Sequence, residues 1–78
     1  MTTFEKVQHA VAAELGVELD EVKPECTLIF LGAESLDMAA LLTELEDQFQ
    51  ILIPNDDLKH FRTIQDIVDY ADSRSRVN

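Results

Sequence analysis

The chain has 78 residues, with sixteen Asp and Glu against six Lys and Arg, for a formal net charge of −10. A chain of this length buries only about 60% of its unfolded surface, which leaves little interior for a catalytic pocket of its own. The acidic balance excludes nucleic acid and anionic membrane surfaces as natural partners, since both need a basic face, and points to basic protein surfaces instead.

The charge is also unevenly placed. Between Lys23 and Lys59 there is no Lys or Arg, while Glu25, Glu34, Asp37, Glu44, Glu46, Asp47, Asp56 and Asp57 all fall there. Cys26 is the single cysteine, so no intrachain disulfide forms, as in a reducing compartment. No apolar run reaches membrane-spanning length, and Met1–Lys6 carries no secretory apolar stretch. The expectation is a cytoplasmic chain, monomeric when free, with no membrane insertion. Residues 1–78 read as one domain, frayed from about 73 onward.

Thr2 and Glu5 have capping-box spacing, with Thr3 as a competing cap, and Phe4, Val7, Val11 and Leu15 recur at helical spacing. Gly16 supplies the stop, so the first helix spans 3–15. From Gly16 to Glu34 no period is sustained and Pro24 bars a helix interior. The apolar residues Val17, Val22, Leu28, Ile29, Phe30 and Leu31 nonetheless mark this long loop as packed on a core, with a short turn at Asp20–Val22.

Ser35 opens the second helix, about 35–50, a position where serine commonly caps. Met38, Leu42, Leu45 and Phe49 form its apolar stripe, with Leu41 on the flank. Ile51-Leu52-Ile53 is a β-like run ended by Pro54. Asn55 or Asp56 then caps a brief turn to about His60, with Leu58 and Phe61 facing inward. Thr63 caps the last helix, with Asp66 three residues on, and Ile64, Ile67, Val68 and Ala71 are its buried stripe. The predicted fold is all-α: a small four-helix bundle of three main helices and one short one, with a long loop between the first and second.

The inventory for catalysis is poor. Ser35, His9 and His60 are present, but the G-x-S-x-G pattern of a nucleophile elbow is not, and Ser35 has no basic residue in sequence reach. No calcium-loop pattern exists, and one cysteine with two separated histidines makes no zinc site. No catalytic residue and no metal ligand is assigned. Ser35, flanked by Glu34 and Asp37, reads as a residue that another enzyme modifies.

Gly32-Ala33-Glu34-Ser35-Leu36-Asp37 resembles the Gly-x-Asp-Ser-Leu-Asp signature of acyl carrier proteins. Leu15-Gly16-Val17, Leu45-Glu46-Asp47-Gln48-Phe49, Ile53-Pro54 with Asp56-Asp57, and Thr63 to Tyr70 fall where that family places similar runs, so the resemblance covers nearly the whole chain. It implies that a phosphopantetheinyl transferase moves 4′-phosphopantetheine from coenzyme A onto Ser35. The arm's thiol then carries growing acyl chains as thioesters between the synthases, reductases and dehydratases of fatty acid or specialised lipid synthesis. The carrier itself is no enzyme. The resemblance further implies docking of basic client surfaces through Glu34, Leu36, Asp37, Glu44, Glu46 and Asp47. It also implies an acyl pocket lined by Met38, Leu42, Leu45, Ile53, Leu58, Phe61 and Val68. Polyketide, aminoacyl or D-alanyl cargo, and an unmodified acidic adaptor, are the alternatives.

The chain departs from the family pattern close to the serine. Glu34 stands for the usual aspartate, and Ala40 occupies a position that often carries an acid. Leu28–Gly32 is one residue short and lacks the acid that commonly precedes Leu-Gly, while Phe30 and Leu52 add apolar character. These departures suggest a specialised carrier with its own client interface.

Overall fold

The computed structural model describes residues 1–75, with the side chains of Ser35, Asn55 and Ser75 outside that description. In chain order the elements are α1 (Thr3–Leu15), a 3-10 turn (Leu19–Glu21), α2 (Ser35–Phe49), a second 3-10 turn (Asn55–His60) and α3 (Ile64–Ser75). The fold is all-α, and the expected short helix is the second 3-10 turn.

α1 begins as its sequence requires. The Glu5 amide donates to Thr2 Oγ1 at 3.1 Å, and the Thr2 amide donates to Glu5 Oε1 at 2.9 Å. The Thr2 amide, and then its hydroxyl, hold the Glu5 carboxyl below the usual range. Gly16 ends the helix at φ 68°, its N–H reaching the Ala12 carbonyl at 2.9 Å. Val7, Ala10, Val11 and Ala12 are buried, and α1 packs against both α2 and α3.

The long loop is stitched down by backbone bonds. The Leu28 amide donates to the Arg62 carbonyl at 3.0 Å, Ile64 to Cys26 at 3.0 Å and Gln65 to Pro24 at 2.9 Å, around an isolated antiparallel bridge between Thr27 and Thr63. Val22, Leu28 and Leu31 are buried beneath these bonds. A largely irregular segment is thus held to the core by backbone bonds to the start of α3 and the residues before it.

In α2 the buried face is centred differently from the predicted stripe. Leu41, placed on the flank by the sequence, is 1% exposed, whereas Met38 is half-buried. Leu42, Leu45 and Phe49 are buried as expected. α2 packs against α1. Gln50 closes α2 in the left-handed conformation, φ 56°, with Nε2 donating to the Asp47 carbonyl at 2.7 Å. The run 51–53 forms no strand. Glu46 Oε2 accepts the Ile53 amide at 2.8 Å, which buries Ile53 and leaves Leu52 in water.

Pro54 caps the second 3-10 turn by its backbone alone. The turn is clasped to α3: Tyr70 Oη donates to Asp57 Oδ2 at 2.7 Å, Arg74 Nη2 lies 3.5 Å from the same oxygen, and Tyr70 meets Phe61 edge-on at 5.1 Å. Thr63 and Asp66 form the expected reciprocal cap, Asp66 accepting the Thr63 amide at 3.0 Å and donating its own to Thr63 Oγ1 at 3.2 Å. Ile64, Ile67, Val68 and Ala71 are all buried. α3 runs to Ser75, and near its end the Arg74 guanidinium lies 4.6 Å over the Tyr70 ring while reaching Asp57. The rest of the predicted tail, 76–78, lies outside the described residues.

Candidate functional site

Ser35 is the first residue of α2 and not its cap. The cap is Glu34, with φ −119° and ψ 174°, whose carbonyl accepts the Met38 amide at 2.9 Å. Asp37 Oδ2 accepts the Glu34 amide at 3.0 Å and fixes the entry. The helix starts at Ser35 as expected, but the cap is Glu34 and not the serine, because Asp37 closes the entry. The amides at the start of α2 have no partner one turn back, so an anion attached at Ser35 meets the positive end of the helix. The Glu34 and Asp37 carboxylates oppose it.

A compact turn delivers the chain to this point. Leu31 donates to the Thr27 carbonyl at 3.2 Å, Gly32 to Ile29 at 3.0 Å and Ala33 to Leu28 at 3.0 Å. Gly32 has φ 91°, and a Cβ there would meet no atom within 4 Å, so it is the backbone conformation that requires glycine.

Beside the start of α2 lies a cleft of about 380 Å³ lined by Leu28, Ile29, Ala33, Met38, Leu58 and Phe61. Of the predicted pocket residues, Met38, Leu58 and Phe61 meet there. Leu42, Leu45, Ile53 and Val68 are buried in the core and do not line it. Leu28, Ile29 and Ala33 are lining residues that sequence reasoning missed. Their signal is the apolar run just before the serine, which by sequence alone is indistinguishable from plain packing.

Along α2, Asp37, Glu44 and Asp47 fall on one arc of the helix and Glu46 on the opposite one. Glu34 and Asp47 are exposed, and Leu36 projects into water. Asp37 is half-buried at the cap and Glu46 is engaged with Ile53. Glu44 is exposed but turns toward α1, where it lines a cavity of about 290 Å³ with His9, Ala10, Ala13, Glu14 and Gln48. Among the described residues no polar or charged side chain is fully buried, and no group of His, Cys, Asp and Glu is placed to hold a metal ion. No helix among them is long and apolar enough to cross a membrane.

An accessible helix start, an acidic surround and an adjoining apolar cleft describe a protein that presents an attached group. They suit phosphopantetheine in particular: its phosphate would meet the start of α2, and the flexible remainder has the cleft beside it. Residues 5–71 match the family described as phosphopantetheine attachment site. The chain is 45% identical over 76 residues to an acyl carrier protein of Syntrophus aciditrophicus, covering 96% of this chain and 95% of that one. It is 40% identical over 74 residues to acyl carrier proteins of Helicobacter hepaticus and of Campylobacter jejuni subsp. doylei. Those matches cover 94% of this chain, and 97% and 96% of the two relatives. The chain belongs to the acyl carrier protein family. As such it carries acyl groups on a phosphopantetheine arm, in the manner typical of fatty acid biosynthesis, and is a carrier rather than a catalyst.

Proposed function

We propose that the Ser35 hydroxyl is the attachment point of the arm, and that the carrier serves acyl-chain synthesis in the cytoplasm. When bound, the arm supplies a thiol that holds the acyl group as a thioester. The position of Ser35 carries this reading: it is the first residue of α2, follows a rigid glycine turn, and stands beside an apolar cleft.

The chain's own residues then have distinct tasks. Met38, Leu58 and Phe61, joined by Leu28, Ile29 and Ala33, line the shelter for the first carbons of the chain. The other predicted pocket residues, Leu42, Leu45, Ile53 and Val68, back it as core. Glu34, Leu36, Asp37 and Asp47 face basic surfaces of the phosphopantetheinyl transferase and of client synthases, reductases and dehydratases. Glu44 and Glu46 contribute from the flanks. Exposed charges of this kind raise the encounter rate without making release slow, as a shuttle requires.

Protein isolated from its source and treated with hydroxylamine tests the cargo. The released material is expected to be a series of fatty acyl hydroxamates. Aminoacyl or D-alanyl hydroxamates, or no released material, would overturn the assignment to acyl-chain synthesis.

A further inference from the structure

Phe61 lines two cavities. One is the apolar cleft of about 380 Å³ beside the start of α2, which it shares with Met38 and Leu58. The other, of about 400 Å³, lies on the α3 side and is lined also by His60, Asp66, Asp69, Tyr70, Ser73 and Arg74. The two spaces have no other residue in common. An acyl tail belongs in the first, because covering the charged groups of the second with hydrocarbon costs free energy. The second is nonetheless large enough for an aromatic ring, since a cavity of about 150 Å³ already accepts benzene. A ring is also better tolerated there, because its face attracts a cation such as Arg74.

The backbone at Phe61 is fixed. Its amide donates to the Leu58 carbonyl at 3.0 Å, and the carbonyl of the next residue, Arg62, accepts the Leu28 amide at 3.0 Å. Lengthening of the cleft at this point therefore comes from the ring turning into the second cavity. Tyr70 stands in the way of that turn, meeting the Phe61 ring edge-on at 5.1 Å. Tyr70 is itself held. Its hydroxyl donates to Asp57 Oδ2 at 2.7 Å, and the Arg74 guanidinium lies 4.6 Å over its ring while Nη2 reaches the same oxygen at 3.5 Å. Burial, and then the bond to Asp57, push the Tyr70 hydroxyl above its ordinary value, so it remains a donor at neutral pH.

We propose that Phe61 is a movable partition at the end of the acyl cleft, and that Tyr70, held by Asp57 and Arg74, keeps it shut and so sets the length of acyl chain this carrier shelters. The inference rests on the reading of the cleft as the shelter for cargo on Ser35. It makes Tyr70 and Asp57 positioning residues for cargo choice, beyond joining the second 3-10 turn to α3.

The test uses the full protein loaded by a broad-specificity transferase with butanoyl-, octanoyl- and tetradecanoyl-phosphopantetheine, with loading read by intact mass. The readout is the rise in melting temperature of each acylated form over the form of the same variant that carries the bare arm, so a variant's own loss of stability cancels. A sheltered acyl chain binds the folded state alone, and the rise grows with the carbons it buries. In the unsubstituted protein the rise should grow from butanoyl to octanoyl and then level off. In Tyr70→Phe and Asp57→Ala it should grow again from octanoyl to tetradecanoyl, by about 4 °C, with the butanoyl value unchanged. Phe61→Leu, which shortens the partition and leaves the clasp intact, should do the same. A continued growth to tetradecanoyl in the unsubstituted protein would overturn the proposal, as would levelling off in any of the variants. An equal gain at every length, the mark of general loosening, would also overturn it. No rise with any acyl group would instead overturn the cleft as the shelter, and failure of the unsubstituted protein to load would overturn Ser35 as the anchor.

Discussion

Asp66 shows how a single carboxylate ties stability to pH in this chain. Its carboxyl is held below the ordinary aspartate range, first by the Thr63 amide that donates to it and then, against the opposing effect of burial, by the Arg62 amide. An unfolded aspartate takes up its proton near pH 4. The cap's contribution is therefore complete above about pH 4 and is lost as pH falls through the lower folded value. Asp66→Asn should weaken α3 at neutral pH and flatten the acid side of the stability profile over that interval. An acid limb identical to that of the unsubstituted chain, followed by thermal melts between pH 2 and 6, would contradict this role.

At the scale of elements, Leu41 is, with Leu45, the most deeply buried residue of α2. Its truncation to Ala should cost about 3 kcal/mol, a large share of the stability expected of so small a domain. Met38→Ala, at a half-buried position facing the cleft, should cost less than half as much. Denaturant melts of the two variants order them, and an equal or reversed order would show that the core is not centred where Leu41 lies. The same helix marks the limit of what the sequence discloses. Its length follows from apolar spacing, and the boxes at Thr2–Glu5 and Thr63–Asp66 fix the other helices, because these are local patterns closed within a turn. Leu41 and Met38 lie on adjoining arcs of one wheel, and only packing between elements distant in sequence chooses between them. The cleft was partly legible for the same reason. Met38, Leu58 and Phe61 sit on recognisable elements, whereas Leu28, Ile29 and Ala33 belong to a loop placed by the bond from the Leu28 amide to Arg62. The cap at Glu34 was missed because a carboxylate three residues on, not the serine, closes the entry to α2.

At the scale of the molecule, the charge is the dominant property. Among the described residues the Arg74–Asp57 contact is the one ion pair, so most carboxylates face water uncompensated. If the outer face of α2 leads the encounter with basic partners, Asp47→Lys should slow association more than Glu44→Lys, because Glu44 turns toward α1. The difference should be greatest at low salt and shrink as the screening length falls to about 8 Å near physiological ionic strength. Stopped-flow association with the transferase measures it, and equal on-rates for both variants would remove α2's outer face from the account.

The central claim, that Ser35 anchors the arm, has a direct measurement. The purified chain is incubated with coenzyme A and a broad-specificity phosphopantetheinyl transferase, and the product is weighed intact and sequenced by tandem mass spectrometry. The account predicts one phosphopantetheinyl addition, located on Ser35, and none on Ser35→Ala. No addition to the unsubstituted chain, or an addition that persists in Ser35→Ala, would contradict it.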